Sequence, residues 1–343
     1  LEFVCTVCEE VGMEGATGID VSMLKGKKLL NRDSEEEGVM LASCAGGCRA
    51  DVKLPVERET VSGTKLTVSL SGLTGGHSGS EIDKGRGNAN ILMSRLLRDA
   101  SAPVAIASID GGRKDNAIPR ECTAQIIVAP DETATVKASI EQAAAEIAEE
   151  FKASDPDLKL TVSEETDCSE SAISAKDSAR VIALIEALPN GIIRMSREID
   201  KLVETSLNLG VLKSDDAAVT LRYAVRSSVG VAKKSLKNQL VCIAEAFAAE
   251  VTFEGDYPAW EYKKDSKLRE DMVRIFEEMY GKKPTVEAIH AGVECGLLSG
   301  KIEGLDCISM GPDMYDIHTT EERLSISSAK RSYEYILRVI ACK

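Results

Sequence analysis

The run Lys65-Leu-Thr-Val-Ser-Leu70, then the glycine-rich stretch Gly72 to Gly87, then residues 88–99, sets the pattern of the middle of this chain. The first six residues alternate polar and apolar, the period of a half-buried strand, and residues 88–99 carry the spacing of a helix. Working outward, residues 121–129 form a second strand and 134–151 a long Ala/Glu helix. Residues 203–212 and 217–226 pair as a hairpin around Lys213-Ser-Asp-Asp216. A helix over 233–249 and a strand over 250–254 follow. Twice, strands precede a helix that can cover one face of a sheet, which predicts an α+β unit in two parts over residues 45–258.

The flanks follow another pattern. Residues 1–8, Leu-Glu-Phe-Val-Cys-Thr-Val-Cys, are expected to form a buried strand with Glu9-Glu10 at its carboxyl end. Lys28-Lys-Leu-Leu-Asn-Arg-Asp33 reads as a short strand that also ends in an acid. Open α/β sheets place ligands at the carboxyl ends of their strands. After Tyr257-Pro-Ala-Trp260 come a helix over 266–280, residues 285–289, a strand over 306–310, the Gly311-Pro312 loop to His318, and an amphipathic helix over 327–339. The chain opens directly on an apolar run without an initiator Met, so a truncated or processed polypeptide is expected.

The 343 residues allow two domains, because single cores stop growing near roughly 250–300 residues. With 42 Lys+Arg against 56 Asp+Glu the formal charge is −14. That balance argues against binding nucleic acid or an anionic membrane surface, both of which call for basic residues. No apolar run approaches the roughly 18–20 residues of a membrane span. Ten cysteines in a chain of this size, with no secretory signal, read as reduced thiols of a cytoplasmic protein.

Only three histidines are available. His77 sits in the flexible Gly75-Gly-His-Ser-Gly79, His290 in Ile289-His-Ala-Gly-Val-Glu-Cys-Gly296, and His318 in a loop rich in Asp, Thr and Glu. Each could be a surface or satisfied core residue. Glu9-Glu10 could bind a metal and face a water, or form a solvated pair. Asp33 and His318 are donors of the kind zinc takes, although spacing does not establish that they converge. Cys5, Cys8, Cys44 and Cys48 offer a rival four-thiol site, but Cys5 and Cys8 lack the Gly/Pro knuckle that would turn both inward. No cysteine sits in a nucleophilic Cys/His constellation, and the His77 loop matches neither a serine elbow nor a phosphate loop.

Taken in order, Val7-Cys-Glu-Glu-Val-Gly-Met-Glu-Gly-Ala16, Asn31-Arg-Asp-Ser-Glu-Glu-Glu-Gly38, Cys44-Ala-Gly-Gly47, Gly72-Leu-Thr-Gly-Gly-His-Ser-Gly79 and Gly87-Asn-Ala-Asn90 form the first half of a series. Asn116-Ala-Ile-Pro-Arg-Glu121, Glu204-Thr-Ser-Leu-Asn208, Gly255-Asp-Tyr-Pro-Ala-Trp260 and Ile289-His-Ala-Gly-Val-Glu-Cys-Gly296 complete it. The series resembles the aminoacyl-histidine dipeptidases (Xaa-His or cytosol non-specific dipeptidases), co-catalytic zinc peptidases akin to aminoacylase and carboxypeptidase G, over essentially the whole chain. The resemblance implies an α/β catalytic domain, residues 1–44 and 259–343, interrupted by an α+β lid and dimerisation domain, residues 45–258. It implies a cytoplasmic homodimer that hydrolyses dipeptides.

By the same resemblance Glu9 is the general base, and Glu10, Asp33 and His318 are ligands of a two-zinc site that could also take Mn2+ or Co2+. His77 stabilises the oxyanion, in such enzymes often across a dimer interface, and Asn116, Arg226, Gly292 and Glu294 contact substrate. A donor at the oxyanion is worth about 3–4 kcal/mol in other enzymes. The family's His-x-Asp motif and bridging aspartate are not found in this sequence, which predicts an incomplete catalytic domain with little or no turnover. The alternatives are a non-catalytic lid and dimerisation module and a related deacylase or carboxypeptidase.

Overall fold

The computed structural model describes residues 1–9, 12–317 and 319–342. Two sheets carry the fold. The large one has nine strands, all paired antiparallel, in the order Glu250–Tyr257, Gly46–Pro55, Ala218–Ser227, Val203–Ser214, Ala105–Gly111, Cys122–Val128, Arg58–Ser71, Lys159–Ile173, with Gly191–Met195 added beside Val203–Ser214. Its strands obey period two. Ala50, Val52, Leu66, Val68, Ala124, Ile126, Leu207, Leu221 and Tyr223 point to one face, where they meet helices Ala89–Arg98, Thr133–Phe151, Ala175–Ala187 and Gly230–Ala246 in a single core.

This sheet follows one path twice. Arg58–Ser71, a helix, Ala105–Gly111, Cys122–Val128, a helix and Lys159–Ile173 lie in spatial order fourth, first, third, second. Gly46–Pro55, Ala175–Ala187, Val203–Ser214, Ala218–Ser227, Gly230–Ala246 and Glu250–Tyr257 repeat that order. The two units join through their second strands, at Leu212↔Gly111 and Lys213↔Asp110. The two-part insertion expected from the sequence thus takes the form of one unit nested in another.

The small sheet is ordered Lys28–Asn31, Asp306–Ser309, Val39–Cys44, Thr285–Ile289. Helices Lys267–Tyr280 and Ile326–Ala341 cover one face through Met272, Phe276, Tyr335 and Val339. Trp260, Val293 and Cys295 cover the other. Among the described residues no helix is long and apolar enough to cross a membrane.

Two chain crossings join the sheets. Val39–Cys44 continues through Ala45 into Gly46–Pro55, and Glu250–Tyr257 returns to Trp260, which exchanges backbone hydrogen bonds with Cys44 at 3.0 and 3.1 Å. A Cβ on Gly46 would lie 2.4 Å from the Ala259 nitrogen, so only glycine lets the crossings touch.

Residues 1–8 do not form the expected strand. Leu1 and Phe3 are each 85% exposed and Val7 69%. Apolar alternation specifies a face but not a partner, and none of the described strands pairs with this run. Its polar contacts are side-chain and loop bonds: the Glu2 carboxylate accepts from the Lys25 and Gly26 amides, the Val7 carbonyl from Gly15, and the Thr6 hydroxyl donates to Glu294. Glu9 accordingly lies in a turn rather than at a strand end. The helix expected over 233–249 runs Gly230–Ala246, because Ala248 takes φ +54° and turns the chain into Glu250–Tyr257.

Candidate functional site

The site lies where the two sheets meet. Ser206, Arg226, Gly47 and Tyr257 stand side by side across four strands, Ser206↔Arg226, Arg226↔Gly47 and Gly47↔Tyr257 in register. The side chains of Ser206, Arg226 and Tyr257 share the face of the large sheet opposite the core-facing Leu207, Val225 and Cys48. From the small sheet His290, directly after Thr285–Ile289, brings Nε2 within 2.7 Å of Ser206 Oγ. The Ala45 amide lies within hydrogen-bonding distance of the Ile289 and Ala291 carbonyls, at 3.2 and 3.1 Å, which fixes this loop against the crossing.

His77 reaches the same place from the glycine-rich loop. Its Nδ1 accepts from the Gly79 amide at 3.3 Å and the Ser80 amide at 3.1 Å, and the Glu81 carboxylate holds its own amide at 2.8 Å. With Nδ1 an acceptor, the proton of the neutral ring sits on Nε2. Burial, then the nearby Arg226 charge, lowers the His77 pKa. At neutral pH the ring is an uncharged donor. Gly79 packs between the parts: an added Cβ would lie 2.4 Å from the His290 carbonyl, 3.0 Å from His77 Cε1 and 3.2 Å from Arg226 Nε.

Arg226 is 9% exposed, and among the described residues its Nε has no hydrogen-bond partner. Its Nη1 makes a long 3.4 Å contact to the Tyr257 hydroxyl. His290, 5% exposed, has a pKa pushed down to about 3 by burial and then by the charge of Arg226. A buried cation with an unused donor, flanked by two uncharged imidazoles, is arranged to receive an anion.

Of the residues singled out from the sequence, His77, Arg226 and Gly292 gather here. Gly292 lies against the Tyr257 ring, its missing Cβ 2.9 Å from Cε2. Asn116 adjoins: its carbonyl accepts from the Ser78 amide at 2.9 Å, and it lines a cavity of about 190 Å3 with Arg49, Asp115, Arg226 and Tyr257. Glu294 instead accepts from the Thr6 hydroxyl. Thr6 and Met13, on either side of Glu9, touch Glu294 and the Gly292 position, so the Glu9 turn borders this loop.

Asp33 lies elsewhere. Lys28–Asn31 and Asp306–Ser309 run parallel, Val39–Cys44 runs antiparallel to the latter, and Thr285–Ile289 runs with Val39–Cys44. Asp33 therefore leaves one end of the small sheet and residues 290–294 the other. Its loop packs on the segment leading toward residue 318, where the Met314 amide donates to the Glu35 carbonyl at 2.9 Å. Glu10 and His318 lie outside the described residues. Among the described residues no group of three or more His, Cys, Asp or Glu side chains is gathered to hold a metal ion. All ten cysteines are free thiols, Cys5 and Cys8 exposed, Cys44 and Cys48 buried.

Ser206, Tyr257 and His290 had no role assigned from the sequence. Each stands in a motif quoted above, but its place was set by register and by the crossing of two sheets.

A family model described as a peptidase dimerisation domain matches residues 68–155. The cytosol non-specific dipeptidase of Escherichia coli (strain K12) is 35% identical over 332 residues, 96% of this chain and 68% of that protein. The crystal structure of the aminoacylhistidine dipeptidase from Vibrio alginolyticus is similar with a TM-score of 0.90 at 33% identity, over 98% of this chain and 69% of that one.

Proposed function

This chain belongs to the dipeptidase family of those two proteins, a family of peptide hydrolases, and on that premise we propose that its seam site takes a dipeptide by the free carboxylate. The observation that carries the proposal is the buried Arg226 guanidinium with its Nε unpartnered among the described residues. A dipeptide presents a carboxylate and a scissile carbonyl only a few bonds apart. With the carboxylate on Arg226, the Nε2–H of His77 is the donor suited to the carbonyl oxygen, and a developing oxyanion would strengthen that bond. His290, neutral and tied to Ser206, fills the flank without adding a competing charge.

The finer roles rest on the sequence resemblance: Glu9 as general base, Glu10, Asp33 and His318 as zinc ligands, and Asn116, Gly292 and Glu294 as substrate contacts. Bound zinc would activate the attacking water. Residues 1–44 with 259–343 would form the catalytic part and 45–258 the lid. The match over residues 68–155 supports a homodimer, and the likeness to a cytosol enzyme supports a cytoplasmic location. A second reading, a lid and dimerisation module that binds without turnover, draws on the match of residues 68–155 to a dimerisation domain.

Calorimetry with an Xaa-His dipeptide and with its C-terminal amide tests the carboxylate site. We expect the free acid to bind and the Arg226→Ala variant to lose about 10- to 100-fold in affinity, the range of a charge-assisted bond. Equal binding of acid and amide would refute it. Hydrolysis assayed with added zinc or manganese separates the enzyme from the binding module.

A further inference from the structure

Tyr257 is held more tightly than a residue that merely fills space. Its ring lies in a slot between two glycines, Gly47 of the large sheet and Gly292 of the loop after the small one. A Cβ on Gly47 would fall 2.6 Å from its hydroxyl oxygen, and one on Gly292 would fall 2.9 Å from Cε2. Behind it, the buried Lys233 ammonium donates to the Tyr257 carbonyl and to Asp256, at 2.6 Å for the latter, and stands 5.9 Å from the ring centre. Among the described residues the slot gives the hydroxyl a hydrogen bond from Arg226 Nη1, at 3.4 Å.

Tyr257 and Arg226 are not direct cross-strand neighbours. Between them in the row stands Gly47, paired with both. Any side chain there would separate hydroxyl from guanidinium, so the missing one lets the phenol reach across a full strand. Gly292 belongs to the loop that follows the small sheet, whereas Gly47 and Arg226 belong to the large sheet. The ring therefore bears on both halves while its hydroxyl bears on Arg226.

We propose that Tyr257 is a positioning residue: clamped between Gly47 and Gly292, its hydroxyl accepts from Arg226 Nη1 and sets the direction in which the guanidinium presents its free Nε–H. The assignment of that Nε–H to a substrate carboxylate rests on the function proposed above; the positioning itself does not. Tyr257→Phe removes the hydroxyl and leaves the ring in its slot.

Two measurements on the full chain test this. The first is the Arg226 Nε–H resonance in an arginine-selective 15N spectrum, assigned by its loss in Arg226→Lys. We expect a sharp, slowly exchanging signal in the wild type that shifts and broadens in Tyr257→Phe. An unchanged signal overturns the proposal, whatever the chain binds. The second is affinity for the Xaa-His dipeptide and its amide. We expect Tyr257→Phe to weaken the free acid about tenfold and leave the amide unaltered, with the same thermal midpoint. Equal weakening of both ligands, or a lowered midpoint that accounts for the loss, would make Tyr257 a packing residue and overturn the inference. If the wild type binds neither ligand, the carboxylate reading falls, and the spectrum alone decides the positioning.

Discussion

His290 shows how much of a residue's chemistry comes from its surroundings. As a free side chain it would titrate near 6.5, and burial beside Arg226 and His77 pushes it down to about 3. A folded-state pKa below the unfolded value means that the unfolded chain binds the extra proton first. The contribution to stability is therefore complete above about pH 6.5 and is lost as pH falls from there toward 3. His290→Gln should flatten that limb, by up to about 1.4 kcal/mol per pH unit. Urea unfolding of both proteins at pH 7 and pH 5 measures it; parallel pH dependence in the two would mean that His290 is not the group responsible. The sequence shows a histidine in a glycine-bearing motif and nothing of its charge state, because the desolvating neighbours are remote in the chain.

Elements follow sequence most closely where local signals suffice. Asn88 caps the helix Ala89–Arg98 by accepting from the Asn90 and Ile91 amides at 3.0 and 3.3 Å, and Ser266 caps Lys267–Tyr280 in the same way. Both helices are legible from a capping residue followed by an apolar stripe. Asn88 does more, since its Nδ2 lies 3.1 Å from both Asn208 Oδ1 and the Leu209 carbonyl, tying the helix to the sheet. Asn88→Ala should cost about 2–3 kcal/mol, above the roughly 1 kcal/mol of an ordinary cap, because buried partners are also left unpaired. Thermal unfolding checks this, with Ser174→Ala as the comparison, since the Ser174 hydroxyl caps Ala175–Ala187 by accepting from the Asp177 amide. Gly46→Ala, at the crossing, should fail to give a folded protein or should lose several kcal/mol, since backbone on both sides would have to move. Strands were harder to read. Lys159–Ile173 is polar along most of its length and draws its place from thirteen paired positions on Arg58–Ser71, a signal absent from its own residues.

At the scale of the molecule, the nested repeat organises the large sheet into two like units, while the site draws on both units and on the small sheet. Arg226 and Ser206 come from one unit, His77 from the other, and His290 from the small sheet. Light scattering on a sizing column should give twice the 36.8 kDa chain mass if the matched dimerisation domain acts as proposed. A single-chain mass at micromolar concentration would refute the dimer. It would not touch the site, whose described parts all come from one chain.

Composition, periodicity and short motifs by themselves determined the existence of most helices, the α+β character of residues 45–258, the family resemblance and the candidacy of His77 and Arg226. These depend on neighbours within a few residues or on order along the chain. Tertiary structure alone decided that residues 1–8 form no ladder, that one unit sits inside another, and that Tyr257, Ser206 and His290 converge on Arg226. Pairing, desolvation and close approach arise between segments brought together from far along the chain, and no stretch of sequence records which partner it will meet.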